Sequence, residues 1–461
     1  MEDLAQFAIQ TMLKAGAEFA DIRIERTNEM KLEIINGEVK TTTSALQKGA
    51  GLRAFTGGAW ALTQTSDLTQ KGILESGTEA VRIAKLISQY ITEPYQIKSK
   101  SYQASVKHDS KIPLEDVSVE EKIQLLKELG TRSREHSNLV SRARAIYQEQ
   151  ITDLLVSNSL GTVVKMKLSL PLLKIFAHSK DGQRSHRGFK IIGGSGGFEV
   201  ISGESAYDAS EYASNLAVNL LTSKRASGGV QDIITDPDLT GVLAHESFGH
   251  ACEADNWTAK STILIDKFQK KLGVDDLTIT DDPTRKGLRG SFEYDWEGTK
   301  SKRRVLIDQG VLNELLHSLS TASILDAEPN GAARAESFMF EPIPRMGNTF
   351  VEPGSWALDE MISDMKNGLL MCGVGGGYAI SEKGQFMFRA THGYEVENGE
   401  IGQMIHGASI VGSHLDTLSK IETIGKDTEL YPGTCGKGYQ AVPDTSGGPH
   451  LLLRGMNVGG S

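Results

Sequence analysis

The residues most suited to catalysis or metal binding are two histidines and a glutamate close together in the sequence: His245, Glu246 and His250. Their pattern is H-E-x-x-x-H, one residue longer than the H-E-x-x-H pattern of many zinc peptidases. Two neutral imidazoles and one further ligand would hold Zn²⁺ and leave a fourth position for water. Glu246 would then take a proton from that water as general base. The alternative is that both histidines are ordinary buried or surface residues, because three specified residues often occur by chance.

The five-residue spacing places a structural demand on this segment. Side chains four apart on an α-helix differ in direction by roughly 40°, whereas side chains five apart differ by roughly 140°. A regular helix would therefore not easily direct both rings at one ion. Gly249 immediately precedes the second histidine, and glycine would permit local unwinding or a helix end there. We therefore predict that the helix is distorted at or before His250.

A third ligand must come from elsewhere in the chain, and Cys435 is the strongest candidate. It lies in a glycine-rich loop, where a thiolate could approach a metal at roughly 2.3 Å. A small buried hydrophobic side chain is an equal alternative for this cysteine. We expect the other two cysteines, Cys252 and Cys372, to pack in the interior. Glu253 and Asp255 could each accept a hydrogen bond from a ligand imidazole, or could face solvent.

The chain before residue 227 has the pattern of two mixed helix and antiparallel-sheet domains, at residues 1–100 and 101–226. Asn-Gly between alternating segments is a strong hairpin signal, and helical periodicity flanks the strands. The predicted elements are helices over 4–15, 118–131 and 205–224, a helix that starts at the Ser66-Asp67 cap, hairpins that turn at Asn36-Gly37 and at 56–58, strands over 139–155 and 162–178, a polar linker over 100–115 and a flexible turn between strands at 193–197.

Residues 227–461 change in character, because short strand-like pieces flanked by glycine recur along them. This pattern predicts a β-rich domain with a barrel as the candidate architecture. Because residues 227–461 contain the H-E-x-x-x-H segment, we expect this domain to be the catalytic one. The whole chain is therefore predicted to be of the α+β class. We expect three other histidines of this region to be satisfied structural groups: His392, His406 and His414.

Composition narrows the function further. The formal net charge is -10 and the pI about 5.7, which argues against a nucleic-acid binder, since such proteins need a concentrated basic face. The densest basic run, 300–304, is expected to be a solvated entry to a strand. Three cysteines in 461 residues do not form a disulfide framework. Neither a secretory signal nor a membrane-spanning run is visible, so we expect a cytoplasmic protein.

The segment 236–255 resembles the TldD branch of the TldD/PmbA metallopeptidases, formerly described as modulators of DNA gyrase. The resemblance extends across most of the chain and is more specific than the short metal motif. The matching stretches are 35–37, 51–55, 295–299, 342–349, 407–412 and the loop around Cys435.

This resemblance implies that His245, His250 and Cys435 bind one zinc ion and that Glu246 acts catalytically. It also implies a dimer, either of identical chains or with a PmbA-type paralogue that lacks the metal motif. Substrates would be unfolded proteins or short peptides that enter an enclosed chamber. An extended peptide could pair through its main chain with an exposed sheet edge.

Two other functions stay open at this point. The first is a non-catalytic binding or regulatory subunit of a TldD/PmbA-type complex, which the older gyrase description suggests. An inactive subunit of that kind should lack the H-E-x-x-x-H residues, and this chain has them. The second is a metal-dependent hydrolase of a different amide.

Overall fold

The computed structural model describes residues 1–380 and 383–460, and it confirms the predicted α+β class. The helices are α1 (Glu2–Lys14), α2 (Gln70–Ser88), α3 (Val119–Glu135), α4 (Glu204–Leu220), α5 (Pro237–Ala244), α6 (Ala254–Thr258), α7 (Leu319–Ile324), α8 (Leu358–Met365) and α9 (His414–Lys420).

The strands before residue 227 are β1 (Phe19–Ile35), β2 (Glu38–Thr56), β3 (Ala59–Thr65), β4 (Gln103–Lys107), β5 (Val140–Asn158), β6 (Val163–Asp181), β7 (Arg184–Gly193) and β8 (Lys224–Arg225). The later strands are β9 (Gly229–Thr235), β10 (Ile279–Asp281), β11 (Arg304–Asp308), β12 (Val311–Leu312), β13 (Ala333–Arg334), β14 (Ile343–Pro344), β15 (Asn348–Val351), β16 (Gly368–Ile380), β17 (Gln385–Glu397), β18 (Glu400–His406), β19 (Ser409–Ser413), β20 (Ile421–Ile424), β21 (Glu429–Lys437), β22 (Gln440–Gly448) and β23 (Leu451–Gly459).

One sheet gathers β1 to β7, in the order β3-β2-β1-β5-β6-β4 with β7 added to β6. Both predicted hairpins are present. The first turns at Asn36 and Gly37, whose φ values of 51° and 83° are those that a tight two-residue hairpin requires. Because β1 pairs with β5 along its length, the sheet is continuous across residue 100. The division into 1–100, 101–226 and 227–461 remains a proposal.

Several local predictions for this part of the chain are wrong in detail. The stretch expected to be a linker contains β4, which pairs in parallel with β6. Helix α2 begins at Gln70, and its cap is the Thr69 side chain, which accepts from the amide of Gly72. The glycine-rich turn at 193–197 leads into a short 3₁₀ turn and α4, not into another strand. Short edge strands and competing caps are decided by tertiary neighbours that local patterns do not contain.

The basic run is also not wholly solvated. Lys302 and Arg303 are exposed as expected, but the Arg304 side chain is fully buried. Arg304 forms an ion pair with Asp281, which is buried with it, and donates to the carbonyl of Asn330 at 3.0 Å. The guanidinium is stable there because its charge and donors are matched inside the protein.

The C-terminal region contains a closed barrel, which confirms the candidate architecture. Strands β16, β9, β23, β19 and β17 pair in that order, and β17 returns to pair with β16. The apolar side of α5 is part of the barrel core, in which Leu243 and Phe248 pack with Ile233 and Phe388. Helix α5 is therefore anchored by the barrel at the point where the H-E-x-x-x-H segment begins.

A second sheet in this region has the order β12-β11-β10-β15-β22-β21. Cys435 lies on β21 and is paired with Val442 of β22. Helix α5 packs against this sheet as well, since the backbone of Gly447 closely approaches Gly241. The histidine segment and the cysteine strand, remote in sequence, therefore meet between barrel and sheet. None of the helices in the described residues combines the length and apolar character needed to cross a membrane.

Candidate metal centre

The H-E-x-x-x-H segment does distort where the spacing demands it. Helix α5 ends at Ala244, and residues 245–249 form one π-helical turn, followed by a 3₁₀ turn from His250 to Cys252. The amide of His250 donates to the carbonyl of His245. This i→i+5 hydrogen bond is the defining bond of a π-turn, and it brings residues five apart onto the same side. The wide turn thereby accommodates the extra residue of the motif.

We expected Gly249 to permit the distortion through its backbone freedom, and this reason is wrong. Its φ of -53° and ψ of -56° are ordinary right-handed helical values, which any residue adopts. The glycine is needed for space. A Cβ at this position would lie 1.9 Å from Sδ of Met346, which is fully buried.

We expect Gly249→Ala to lower the free energy of unfolding by about 1–3 kcal/mol, the usual cost of overpacking a filled core. Urea unfolding measures this change. Met346→Ala removes the side chain that a Cβ at position 249 would meet. The double variant should therefore lose less free energy of unfolding than the sum of the losses of the two single variants. Strict additivity of the two changes would contradict a steric origin.

The structure brings the three predicted ligand residues together. One ligand atom from each of His245, His250 and Cys435 lies within 4.8 Å of the other two. The imidazole rings have centroids 5.1 Å apart and are almost perpendicular, at 88°. All three side chains are largely shielded from solvent. Two imidazoles and a thiolate are a donor set that suits zinc and other borderline-soft transition metals.

The spacing of these atoms fits a shared ion. Bonds of roughly 2.3 Å to sulfur and 2.0–2.1 Å to nitrogen in a tetrahedron place sulfur and nitrogen about 3.5 Å apart. Nε2 of His250 lies 3.4 Å from Sγ of Cys435. The cluster could therefore hold a metal ion without rearrangement of this pair.

His250 is oriented by the carboxylate of Glu253. Nδ1 of His250 lies 2.8 Å from Oε2 of Glu253, whose side chain is fully buried. In the neutral imidazole the proton is then on Nδ1, which leaves the lone pair of Nε2 pointing at Cys435. Of the two roles considered for Glu253, the structure supports the acceptor. Asp255 instead pairs with Lys437, at 2.7 Å.

His245 has a comparable partner in Asp444 of β22. Nδ1 of His245 lies 3.2 Å from Oδ2 of Asp444, and both side chains are buried. The contact is an ion pair that lacks hydrogen-bond alignment, since Nδ1 of His245 and Oδ1 of Asp444 have no hydrogen-bond partner in the described residues. Asp444 was not predicted as a site residue. Its position next to the cluster follows from the pairing of β22 with β21, in which Asp444 lies opposite Gly433.

Charge strongly couples the three ligand residues. Burial disfavours the protonated forms of the histidines, but Cys435 and Asp444 raise the pKa of His245 to about 9. In the same way Glu253 and Cys435 raise the pKa of His250 well above 6.5. Burial disfavours the Cys435 thiolate, yet the charges of the two histidines hold the pKa of that thiol well below 9.0. In the metal-free cluster these charges favour a thiolate between two protonated imidazoles.

These pKa directions predict proton release on metal binding. A pH of 7 is below the raised pKa values of both imidazoles, so each carries a proton that a metal must displace. The thiolate carries none. We expect about two protons released per ion, with an apparent affinity that rises with pH by up to about 100-fold per unit as long as both imidazoles are protonated. Calorimetric titration with Zn²⁺ in buffers of different ionisation enthalpy counts the protons. A release near zero at pH 7 would contradict the assigned protonation.

Glu246 lies at the edge of a cavity beside the cluster. Its carboxylate Oε2 is 3.9 Å from Nε2 of His250, and its side chain is 34% exposed. Apart from His250, no charged or hydrogen-bonding partner contacts this carboxylate in the described part of the chain. The cavity has a volume of about 390 Å³ and is lined also by Asn256, Lys437 and Ile380. A carboxylate with free lone pairs in an open pocket can accept a proton.

The other cysteines and histidines considered from the sequence are not members of the cluster. Cys252 is fully buried in an apolar core, as expected, and Cys372 is half-buried beside the apolar side of α8. His392 and His406 each contact a hydroxyl, so both are satisfied. The expectation fails for His414, whose buried ring nitrogens have no hydrogen-bond partner in the described residues.

Comparison with known proteins covers almost the whole chain. Residues 228–460 match the family model described as the PmbA/TldA metallopeptidase C-terminal domain. Residues 20–84 match domain 1 of that family, and residues 112–221 match its central domain.

Individual relatives are similar over their full lengths. A metalloprotease of Methanothermobacter thermautotrophicus is 33% identical over 446 residues, covering 96% of this chain and 96% of the relative. A zinc metalloprotease TldD homolog of Saccharolobus solfataricus is 27% identical, covering 96% and 97%. The crystal structure of TldE from Thermococcus kodakarensis shares the fold, with a TM-score of 0.78, 16% identity and 99% coverage of both chains. The chain therefore belongs to the PmbA/TldD family of metallopeptidases, in its TldD branch.

Proposed function

We propose that this protein is a zinc-dependent peptidase in which His245, His250 and Cys435 hold the ion and Glu246 is the general base. The observation that carries the proposal is the convergence of two imidazoles and a thiolate within 4.8 Å, next to a carboxylate that faces a cavity. A bound zinc ion lowers the pKa of water and polarises a carbonyl oxygen.

The residues of the chain have distinct roles in this proposal. Glu246 accepts the proton of the attacking water and delivers it to the leaving amine, which requires a carboxylate free of other partners. Glu253 fixes the direction of the His250 ring, because a ligand ring with a hydrogen-bond partner on its other nitrogen keeps one tautomer. Asp444 acts on His245 through its charge.

The substrates we propose are unfolded proteins or short peptides bound in extended form. Strand β16 pairs with β9 only over residues 369–371. The amides of Gly373 and Val374 donate to Asp236 and Asp238, and in the described residues the same edge has no strand partner from 375 to 380. Ala379 and Ile380, near the end of this edge, line the cavity that contains Glu246. A peptide added along this edge would be held by main-chain hydrogen bonds and would enter the cavity.

The direct test uses the purified chain loaded with zinc. We expect cleavage of an unfolded protein and of short peptides, loss of cleavage on chelation, and recovery when zinc is restored. Hydrolysis of non-peptide amides in preference to peptides would favour the alternative of a different amide hydrolase. Tight metal binding with no hydrolysis of any substrate would favour a non-catalytic subunit.

We also propose that the protein works in the cytoplasm as a dimer, with an identical chain or with a PmbA-type paralogue. Three free cysteines support a reducing compartment. The solved TldE structure shows that a protein of that name has the same fold. Light scattering of the chain alone, and after mixing with a paralogue, measures the assembly.

A further inference from the structure

Lys437 is two residues beyond Cys435 and has an unusually complete set of partners. Its Nζ lies 3.0 Å from Oε2 of Glu253, 2.7 Å from Oδ1 of Asp255 and 3.1 Å from the carbonyl of Pro344. Of the three donors of the ammonium group, two are used in hydrogen bonds to Asp255 and Pro344, and the contact with Glu253 is an ion pair. The side chain is 17% exposed although it borders the cavity beside the cluster. Two of its three donors and its charge are therefore already engaged within the protein.

Glu253 is the point at which the two ligand-bearing elements meet. Its Oε2 contacts both Nδ1 of His250 and Nζ of Lys437, and its Oε1 lies 4.0 Å from Nε of Arg345. Arg345 is fully buried and donates through Nη2 to the carbonyl of Cys435 at 2.6 Å. Lys437, a residue of β21, thus pairs with Glu253, and Arg345 lies at the limit of an ion pair from Glu253 and is hydrogen-bonded to β21.

We propose that Lys437 and Arg345 are positioning residues, which hold the Cys435 strand and the His250 ring in mutual register through the shared carboxylate of Glu253. The inference rests on the proposed metal cluster. It adds residues that do not themselves contact the ion and assigns them a role in assembling its ligands.

The physical need for such a device comes from the chain topology. His250 and Cys435 are separated by 185 residues and belong to different elements, so their 3.4 Å approach depends on tertiary contacts. A fully buried carboxylate such as Glu253 is stable only when cations and donors surround it. Without Lys437, Glu253 would lose its ion pair with β21, and its only remaining connection to that strand would be the more distant Arg345.

The decisive measurement is the affinity of Lys437→Met for Zn²⁺ and Co²⁺, by competition with a chromophoric chelator. Removing a nearby positive charge would by itself tighten the binding of a cation. Loss of positioning acts in the opposite direction, and changes to outer partners of metal ligands typically weaken affinity by about 10–100-fold. We expect a loss of at least 10-fold, with a changed Co²⁺ absorption spectrum. Unchanged or tighter binding would overturn the proposal.

Further variants distinguish positioning from general destabilisation and from substrate binding. Lys437→Arg keeps the charge and should restore most of the affinity. Lys98→Met, which removes an exposed ion pair with Asp326, should change nothing. Circular dichroism and thermal unfolding of the metal-free chains check the fold, and Lys437→Gln replaces the methionine variant if that one unfolds. A raised KM with normal metal affinity would mean that Lys437 binds substrate, and would overturn the positioning role.

One more variant separates a failure of the positioning role from a failure of the proposed function. Cys435→Ala reports whether the cluster binds metal at all. If that variant keeps full affinity, the metal cluster itself is wrong. If it loses the metal while Lys437→Met does not, only the positioning role fails.

Discussion

Glu246→Gln is expected to bind zinc as tightly as the native protein and to lose cleavage of peptides by on the order of 10²–10⁴-fold in kcat. Glutamine has nearly the same shape and can still lie beside His250, but it cannot accept a proton. The carboxylate is 3.9 Å from Nε2 of His250, so Glu246 is close to the ligands without being needed to complete the three-residue cluster. Metal content should therefore be retained.

The measurement pairs elemental analysis with single-turnover kinetics on one defined peptide. Glu75→Gln, an exposed glutamate on α2, serves as the matched control and should retain full activity. Cleavage at the native rate by a fully metal-loaded Glu246→Gln would remove Glu246 from the proposed role. Loss of both metal and activity would instead make Glu246 a ligand.

Cys435→Ala is expected to lose zinc, with an affinity change larger than the roughly 10–100-fold caused by altering outer partners. The thiolate is the anionic member of the cluster, and its charge raises the pKa of both histidines. With alanine at this position the pKa values of the two histidines fall, so protons compete less with the metal for the imidazole nitrogens. The two imidazoles nevertheless supply only two bonds to the ion. Two ligands cannot hold zinc as tightly as three.

Cys252→Ala provides a close control for this experiment. Cys252 and Cys435 belong to the same apolar core, and both side chains are buried. Burial raises the pKa of the Cys252 thiol, so the thiol stays protonated, and no imidazole is hydrogen-bonded to it in the described residues. We expect its alanine variant to keep the metal and the sulfur-to-Co²⁺ charge-transfer band. Equal metal content in the Cys435→Ala variant, by elemental analysis, would exclude Cys435 as a ligand.

Much of the local structure could be predicted from the chain, because it depends on neighbours in sequence. The Asn36-Gly37 hairpin follows from two residues that tolerate positive φ. The distortion before His250 follows from helix geometry alone, since two rings five apart cannot otherwise meet. In contrast, the place of Gly249 against Met346 could not be predicted, because nothing in the segment indicates which side chain crosses it.

The same distinction between local and tertiary information applies to the candidate site. By itself the sequence determined the chemical types of the candidate ligands, the glutamate next to the first histidine and the need for a distorted turn if both histidines are to face one ion. Only the tertiary structure decided that Asp444, Lys437 and Arg345 belong to the same site, because their relevance comes from the β21–β22 pairing and from burial around Glu253. Charges that stabilise one another across nearly two hundred residues leave no local pattern, since the interaction exists only after the barrel and its neighbouring sheet have packed together.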